Sequence, residues 1–201
     1  MKVLNNHFWL IILVIYHLIF LNANAQTIAF YDFESGLQGW IDGGSDSGLN
    51  SNSIYASNGL QSIYSKDDDT SQNSTTSPSL DLSAYSSVDF SFSFIGLNLD
   101  SGEGFSLQYY NGAIWTTIKT YILGTDFASN NIKYKFYVTI NSGLSTNSIF
   151  RFQSTANSDN EYNYFDDISI KVSKPEIEVY GNGISIYNGD ITPINSDHTA
   201  F

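Results

Sequence analysis

The stretch Tyr164-Phe165-Asp166-Asp167-Ile168-Ser169-Ile170-Lys171-Val172 decides how this chain folds. Read with the two-residue period of a strand, it sets Asp166, Ile168, Ile170 and Val172 on one face and Phe165, Asp167, Ser169 and Lys171 on the other. A carboxylate thus heads an apolar row. Facing a core unpartnered it is costly even after relaxation, so Asp166 is expected to have water at a rim, a cationic partner or a metal ion.

The same alternation recurs upstream. Val88-Asp89-Phe90-Ser91-Phe92-Ser93-Phe94 repeats without error and predicts a strand with the phenylalanines and Val88 inward. Ile132, Tyr134, Phe136, Val138 and Ile140 alternate with Lys133, Lys135, Tyr137 and Thr139, and a further strand is expected over Ser148 to Ser154. Phe105 to Tyr110 and Ile114 to Ile122 flank Asn111-Gly112, a dipeptide suited to the positive φ angles of a type I′ turn, which predicts a hairpin. Near the start, Ile28 to Glu34 reads as a strand with Ile28, Phe30, Asp32 and Glu34 on one face, again an apolar row ended by acids. Ser35-Gly36 turns the chain, and Ser57-Asn58-Gly59 leads into a short strand over Leu60 to Tyr64. Asp42 to Ser53 and Lys66 to Ser77 read as solvated loops. No segment beyond the first residues has an apolar repeat at helical spacing. The expectation is an all-β, antiparallel, two-sheet sandwich over Thr27 to Val172.

The two ends read differently. Lys2, an apolar run from Phe8 to Leu21 and the small residues of Ala23-Asn24-Ala25 mark residues 1–25 as a secretory signal cut before Gln26, with no membrane insertion after cleavage. Residues 26–173 are then the sandwich and 174–175 a linker that ends on Pro175. Residues 176–201 read as the first strands of a second β domain, too few for a core of their own, and so as part of a longer parent with other domains. The expected place is outside the cell or on its surface. Absence of cysteine leaves stability to packing, with metal as a supplement. A net charge of −12 repels nucleic acid and anionic membranes.

Absences also bound the chemistry. His198, in the tail, is the only histidine beyond the signal, so the sandwich hosts no Ser-His-Asp or Cys-His arrangement and no histidine zinc site. Counting acids does not rule out a carboxylate pair for glycoside hydrolysis, but most acids stand beside Gly, Ser or Asn in turns, and the expectation is that this is not an enzyme. Two readings of the acids stay open. If the first and last strands pair, Asp32 or Glu34 approaches Asp166, and Asn58 or the carbonyls of its turn complete the oxygen shell of a structural calcium ion. Alternatively the same acids sit at a solvated rim, bonded to turn amides. The aromatics pose a similar choice: Trp40, Tyr110, Trp115 and Tyr137 are candidates for an exposed platform for sugar rings or a partner surface, or else they pack in the core and across strands.

Two family resemblances add to this. Tyr31-Asp32-Phe33-Glu34-Ser35-Gly36-Leu37-Gln38-Gly39-Trp40 resembles the opening of MAM domains and of related jelly-roll carbohydrate-binding modules, and Phe165-Asp166-Asp167-Ile168-Ser169-Ile170 resembles their close. Ser77-Pro78-Ser79-Leu80-Asp81-Leu82, Phe90 to Phe94 and Trp115-Thr116-Thr117 fall between in the expected order. The resemblance implies a jelly-roll, a structural cation held by Glu34 and Asp166 with Asn58 less firmly assigned, and adhesion or glycan binding, with a polysaccharide or cell-surface glycoprotein as partner. The disulfides of animal MAM domains are missing, and no sugar-binding aromatic motif matches. Pro175 to Gly183, with Asp190, Thr192-Pro193 and Asp197, resembles the start of the immunoglobulin-like choice-of-anchor domain of bacterial surface proteins. Together these imply a non-catalytic extracellular binding module of a multidomain protein. The alternative is an accessory domain of a secreted peptidase or glycosidase whose catalytic domain lies beyond Phe201.

Overall fold

Alternate phenylalanines give this chain its layers. A computed structural model describes residues 26–67, 73–173, 179–181 and 184–186. Its strands in chain order are β1 Thr27–Tyr31, β2 Ile41–Asp42, β3 Ser47–Asn50, β4 Ser62–Lys66, β5 Ser74–Thr76, β6 Val88–Leu97, β7 Gly104–Tyr110, β8 Trp115–Ile122, β9 Lys133–Ile140, β10 Ile149–Ser154, β11 Tyr162–Val172, β12 Val179–Gly181 and β13 Ile184–Ile186. A single 3₁₀ turn, Ser53–Tyr55, is the one helical element among the described residues, so none of them forms a helix long and apolar enough to cross a membrane.

Ala25–Ser173 form one compact unit of two antiparallel sheets, the jelly-roll sandwich that the sequence predicts. One sheet runs β3-β4-β11-β6-β9, with β1 also paired to β11; the other runs β2-β5-β10-β7-β8. β11 is long enough to take two partners along one edge: Tyr162 to Phe165 pair with β4, and Ile168 to Lys171 with β1. Its other edge carries β6 along its length. Between the sheets lie Phe92, Phe94, Phe105, Phe152 and Phe165, all essentially inaccessible, with the Phe152 and Phe165 rings stacked at 4.0 Å. Stacked and edge-on pairs of this kind add about 0.5–1.5 kcal/mol each beyond area burial. Asn163 ties the layers together inside, its amide donating to the Gly104 carbonyl at 3.0 Å and the Ser154 hydroxyl at 3.0 Å.

The decisive stretch departs from a simple period of two. Ser93 of β6 faces Asp166 and Ser91 faces Ser169, so two residue steps on β6 oppose three on β11. The extra residue is a bulge at Asp167, whose φ is +47°. It shifts the phase of the strand. Phe165, Ile168 and Ile170 all enter the core, while Asp166 lies on the outer face and never heads the apolar row. The first strand is corrected in the same way. β1 stops at Tyr31, and Tyr31 and Phe33 are the core residues, whereas Phe30 is exposed.

Other expectations met mixed outcomes. β6, β9 and β10 follow the predicted alternation. The β7–β8 hairpin forms, but not through a type I′ turn: Gly112 alone has positive φ, and the Asn111 side chain accepts from Ala113 N and Ile114 N. Both polar segments read as loops contain strands, β3 and β5, and β2 was also missed; these short strands pair at or near sheet edges, where apolar alternation is not required. In the tail, β12 and β13 pair antiparallel, where the sequence predicts two strands. The signal, the linker and the rest of the expected second β domain lie outside the described residues.

Candidate functional site

The five-stranded sheet gives one face to the core, and ladder register dictates what stands on the other. Phe150, Phe152, Phe105, Leu107 and Tyr109 point inward, so their neighbours point out. Directly paired residues share a face, and the outward ones fall into three rows. Ile149, Tyr110 and Trp115 make the first. Ile41, Thr76, Arg151, Gln108 and Thr117 make the second and cross the whole sheet. Ser74, Gln153, Ser106 and Thr120 make the third.

Trp115 is the large apolar ring of this face, 38% exposed. The Tyr110 ring lies 5.3 Å away, and the Arg151 guanidinium sits 4.2 Å from the indole centroid, a cation–π distance. Arg151 Nε donates to Gln108 Oε1 at 2.7 Å, and Nη2 donates to the same oxygen. Gln108 Nε2 reaches Thr117 Oγ1 at 3.5 Å, and the Ser106 and Thr120 hydroxyls meet at 2.9 Å. Burial against the ring lowers the Arg151 pKa, because its charge has lost water. An aromatic row beside two rows of hydroxyls and amides offers what a sugar needs, an apolar surface for its C–H face and hydrogen-bond partners for its hydroxyls.

The structure brings two of the four expected aromatics together. Tyr110 and Trp115 are neighbours on this face. Tyr137 is 73% exposed, but stands on the outer face of the other sheet, opposite Ser91. Trp40 belongs to the core: it is 3% exposed, stacks on Phe152 at 6.0 Å and meets the rings of Tyr31 and Phe33 edge-on. Of the two places open to it, an exposed platform or the core, it takes the core. Arg151 was missed altogether. Its signal was present, since an arginine between Phe150 and Phe152 in an alternating strand must point to solvent.

Two of the four expected cation ligands, Glu34 and Asp166, are bonded to the backbone of one turn. Glu34 Oε1 accepts from Leu60 N and Gln61 N, both at 2.8 Å. Asp166 Oδ2 accepts from Ser57 N at 2.6 Å and Asn58 N at 3.2 Å, and its Oδ1 from Asp167 N at 2.7 Å. Asp32 points elsewhere, its Oδ1 accepting from the Gln38 amide at 2.7 Å and Glu34 N at 3.3 Å. Asn58 contributes its backbone N–H. Two lysines of β9 approach from the far side, Lys133 donating to the Ser57 carbonyl and Lys135 to the Asp167 carbonyl at 3.2 Å. Asp166 is only 2% exposed, and burial pushes its carboxyl up to about 6 although three backbone N–H groups pull it back. The donor chemistry fits a hard cation: two carboxylates, oxygen ligands only, and a turn carbonyl that already holds an ammonium. Backbone N–H groups compete for the same lone pairs, so a metal here would share the carboxylates with the turn rather than own them.

No protein-family model matches the chain, and no curated protein does. Solved structures match. The xylan-binding domain CBM22-1 of Paenibacillus barcinonensis Xyn10C is 16% identical, with 75% of this chain and 96% of that one covered and a TM-score of 0.54. The C-terminal family 22 carbohydrate binding module of Clostridium thermocellum Xyn10B is 17% identical, with 73% and 92% covered and a TM-score of 0.55. The CBM22-1-GH10 modules of Clostridium thermocellum endo-1,4-beta-D-xylanase 10B, complexed with xylohexaose, are 14% identical, with 75% and 29% covered and a TM-score of 0.53. The fold is that of carbohydrate-binding modules. At these identities the likeness extends to architecture and not to particular side chains.

Proposed function

We propose that residues 26–173 are a non-catalytic polysaccharide-binding module of a secreted or cell-surface protein, and that the ligand lies across the outer face of the five-stranded sheet. One observation carries this: Trp115, Arg151 and Gln108 stand in adjoining register rows, an exposed ring beside preorganised donors. Stacking on Trp115 and Tyr110 supplies the apolar contact, and the second and third rows supply the hydrogen bonds that orient the chain of sugars. The likeness to modules that bind xylan supports the class of ligand.

The same proposal includes a structural calcium ion shared by Glu34 and Asp166 at the Ser57 to Gln61 turn. What supports it is a buried carboxylate that takes part in none of the ion pairs among the described residues. The ion would supply charge compensation there and takes no part in ligand chemistry.

Affinity electrophoresis in gels containing xylan, galactan or glucan tests the face. Trp115→Ala is expected to weaken retardation by about tenfold or more, as loss of a central aromatic anchor does. Tyr137→Ala, on the other sheet, should migrate as wild type. Equal retardation of wild type and Trp115→Ala would remove the assignment of this face. A second reading, an accessory domain of a secreted hydrolase, is favoured by the occurrence of the same fold beside the GH10 module of an endoxylanase. Coding sequence downstream of Phe201 separates the two, since a catalytic domain there selects the second.

A further inference from the structure

We infer that the ligand of this face is an acidic polysaccharide, and that Arg151 reads an oxyanion on the sugar ring, a uronate carboxylate or a sulfate ester. The inference rests on the proposed polysaccharide-binding role of the face and goes further, to the charge of the ligand.

Three observations carry it. Arg151 is the only charged residue in the three rows, and no acid stands among them. That is contrary to the chain as a whole, in which 20 acids outnumber 8 bases. Arg151 also stands without a counter-charge, as on the other sheet do Lys133, Lys135 and Lys171, and it is the one such cation on this face. Ion pairs among the described residues join Lys66 to Asp46 and Asp159 and Lys119 to Asp126, and Arg151 takes part in none. Finally, the guanidinium is held ready. The Trp115 ring lies against it at 4.2 Å, and Gln108 takes Nε–H and one Nη2 hydrogen through a single oxygen. A guanidinium has five N–H donors, so three remain for a ligand.

A neutral glycan uses such a group poorly. Sugar hydroxyls accept hydrogen bonds but do not repay a cation for the water it loses against an indole, whereas an oxyanion does both and can take two donors at once. Because the rows carry no negative charge, nothing on this face repels that anion. Elsewhere the acidic surface does, which confines an acidic chain to this sheet.

The test compares matched polymers on the protein: glucuronoxylan, homogalacturonan and alginate against their carboxyl-reduced forms, and a sulfated galactan against its desulfated form. Wild type should bind at least one native polymer about tenfold more tightly than its neutral counterpart, and the ratio should shrink as sodium chloride rises, because exposed charges are screened. The carboxylate and sulfate pairs distinguish the two sources of charge. In Arg151→Gln the ratio should fall to about one whatever happens to absolute affinity, while Arg151→Lys keeps part of it. Equal binding of native and neutral polymers by wild type, or a ratio unchanged in Arg151→Gln, overturns the inference and leaves the module's binding role standing. Should Arg151→Gln fail to fold, the salt dependence of the wild-type ratio decides alone, and a ratio independent of salt overturns it. Absence of binding to any polymer, charged or neutral, overturns both.

Discussion

Gly59 shows how one residue can set the geometry of a whole turn. Its φ is +74°, in the left-handed region, and a Cβ built there would stand 2.4 Å from the Glu34 carboxyl carbon. Alanine therefore meets two costs, backbone strain and displacement of the Glu34 carboxylate from Leu60 N and Gln61 N. We expect Gly59→Ala to destabilise the sandwich by about 1–2 kcal/mol in urea unfolding. A second expected effect, weaker calcium binding by titration calorimetry, follows if Glu34 is a ligand. Unchanged stability would mean that the turn relaxes freely and that Glu34 does not constrain it. Side-chain burial acts in the opposite direction at Glu161. Burial first, then the charges of Glu103 and Asp100, raise its carboxyl above the usual range, against one bond from Asn157 N. A carboxyl raised in the native state contributes stability that is present below its unfolded pKa and lost as pH rises through the native value. Glu161→Gln should accordingly melt about 1–3 °C above wild type at pH 7 and converge with it near pH 4. A constant offset across that range would contradict the titration.

At the scale of the element, β11 explains both what the sequence told and what it concealed. Its apolar alternation was legible, as was that of β6, because buried strands leave a pattern of phenylalanine and isoleucine that turns do not share. The bulge was not legible. Asp166-Asp167 fits a period of two as well as it fits a bulge, and only pairing with β6 shows that Asp167 takes positive φ and inverts the phase. From that single inserted residue follow the outward carboxylate and its bonds to the Ser57 and Asn58 amides. β2, β3 and β5 were hidden for another reason: they are two to four residues long with at most one large apolar residue each, and their pairing is decided by neighbours rather than by their own composition. The binding rows were hidden with them. Tyr110 and Trp115 could be named from sequence, but Arg151 becomes part of a site only when β10 is laid between β5 and β7.

Over the whole sandwich, the two ends of the unit converge on one place. β1 and β4 share one edge of β11, and the segment between Tyr31 and β4 supplies both Glu34 and the Ser57 to Gln61 turn. Sequence-distant contacts of this kind are slow to form and are lost together when the edge opens. The chain has no disulfide to hold them. A calcium ion at Glu34 and Asp166 would bind the folded edge and not the unfolded chain, so it would stabilise by mass action, by about 2.7 kcal/mol at a hundredfold excess over Kd. For a unit of this size that corresponds to about 5–10 °C in melting temperature. Scanning calorimetry of protein stripped with EDTA, then reloaded with calcium, measures the difference directly. Glu34→Gln keeps the turn's hydrogen-bond acceptor while removing its charge, and is expected to abolish most of the calcium increment. If stripped and reloaded protein melt together, the amides of Ser57, Asn58 and Asp167 are sufficient for Asp166, and the β1–β11 edge is held by hydrogen bonds and packing alone.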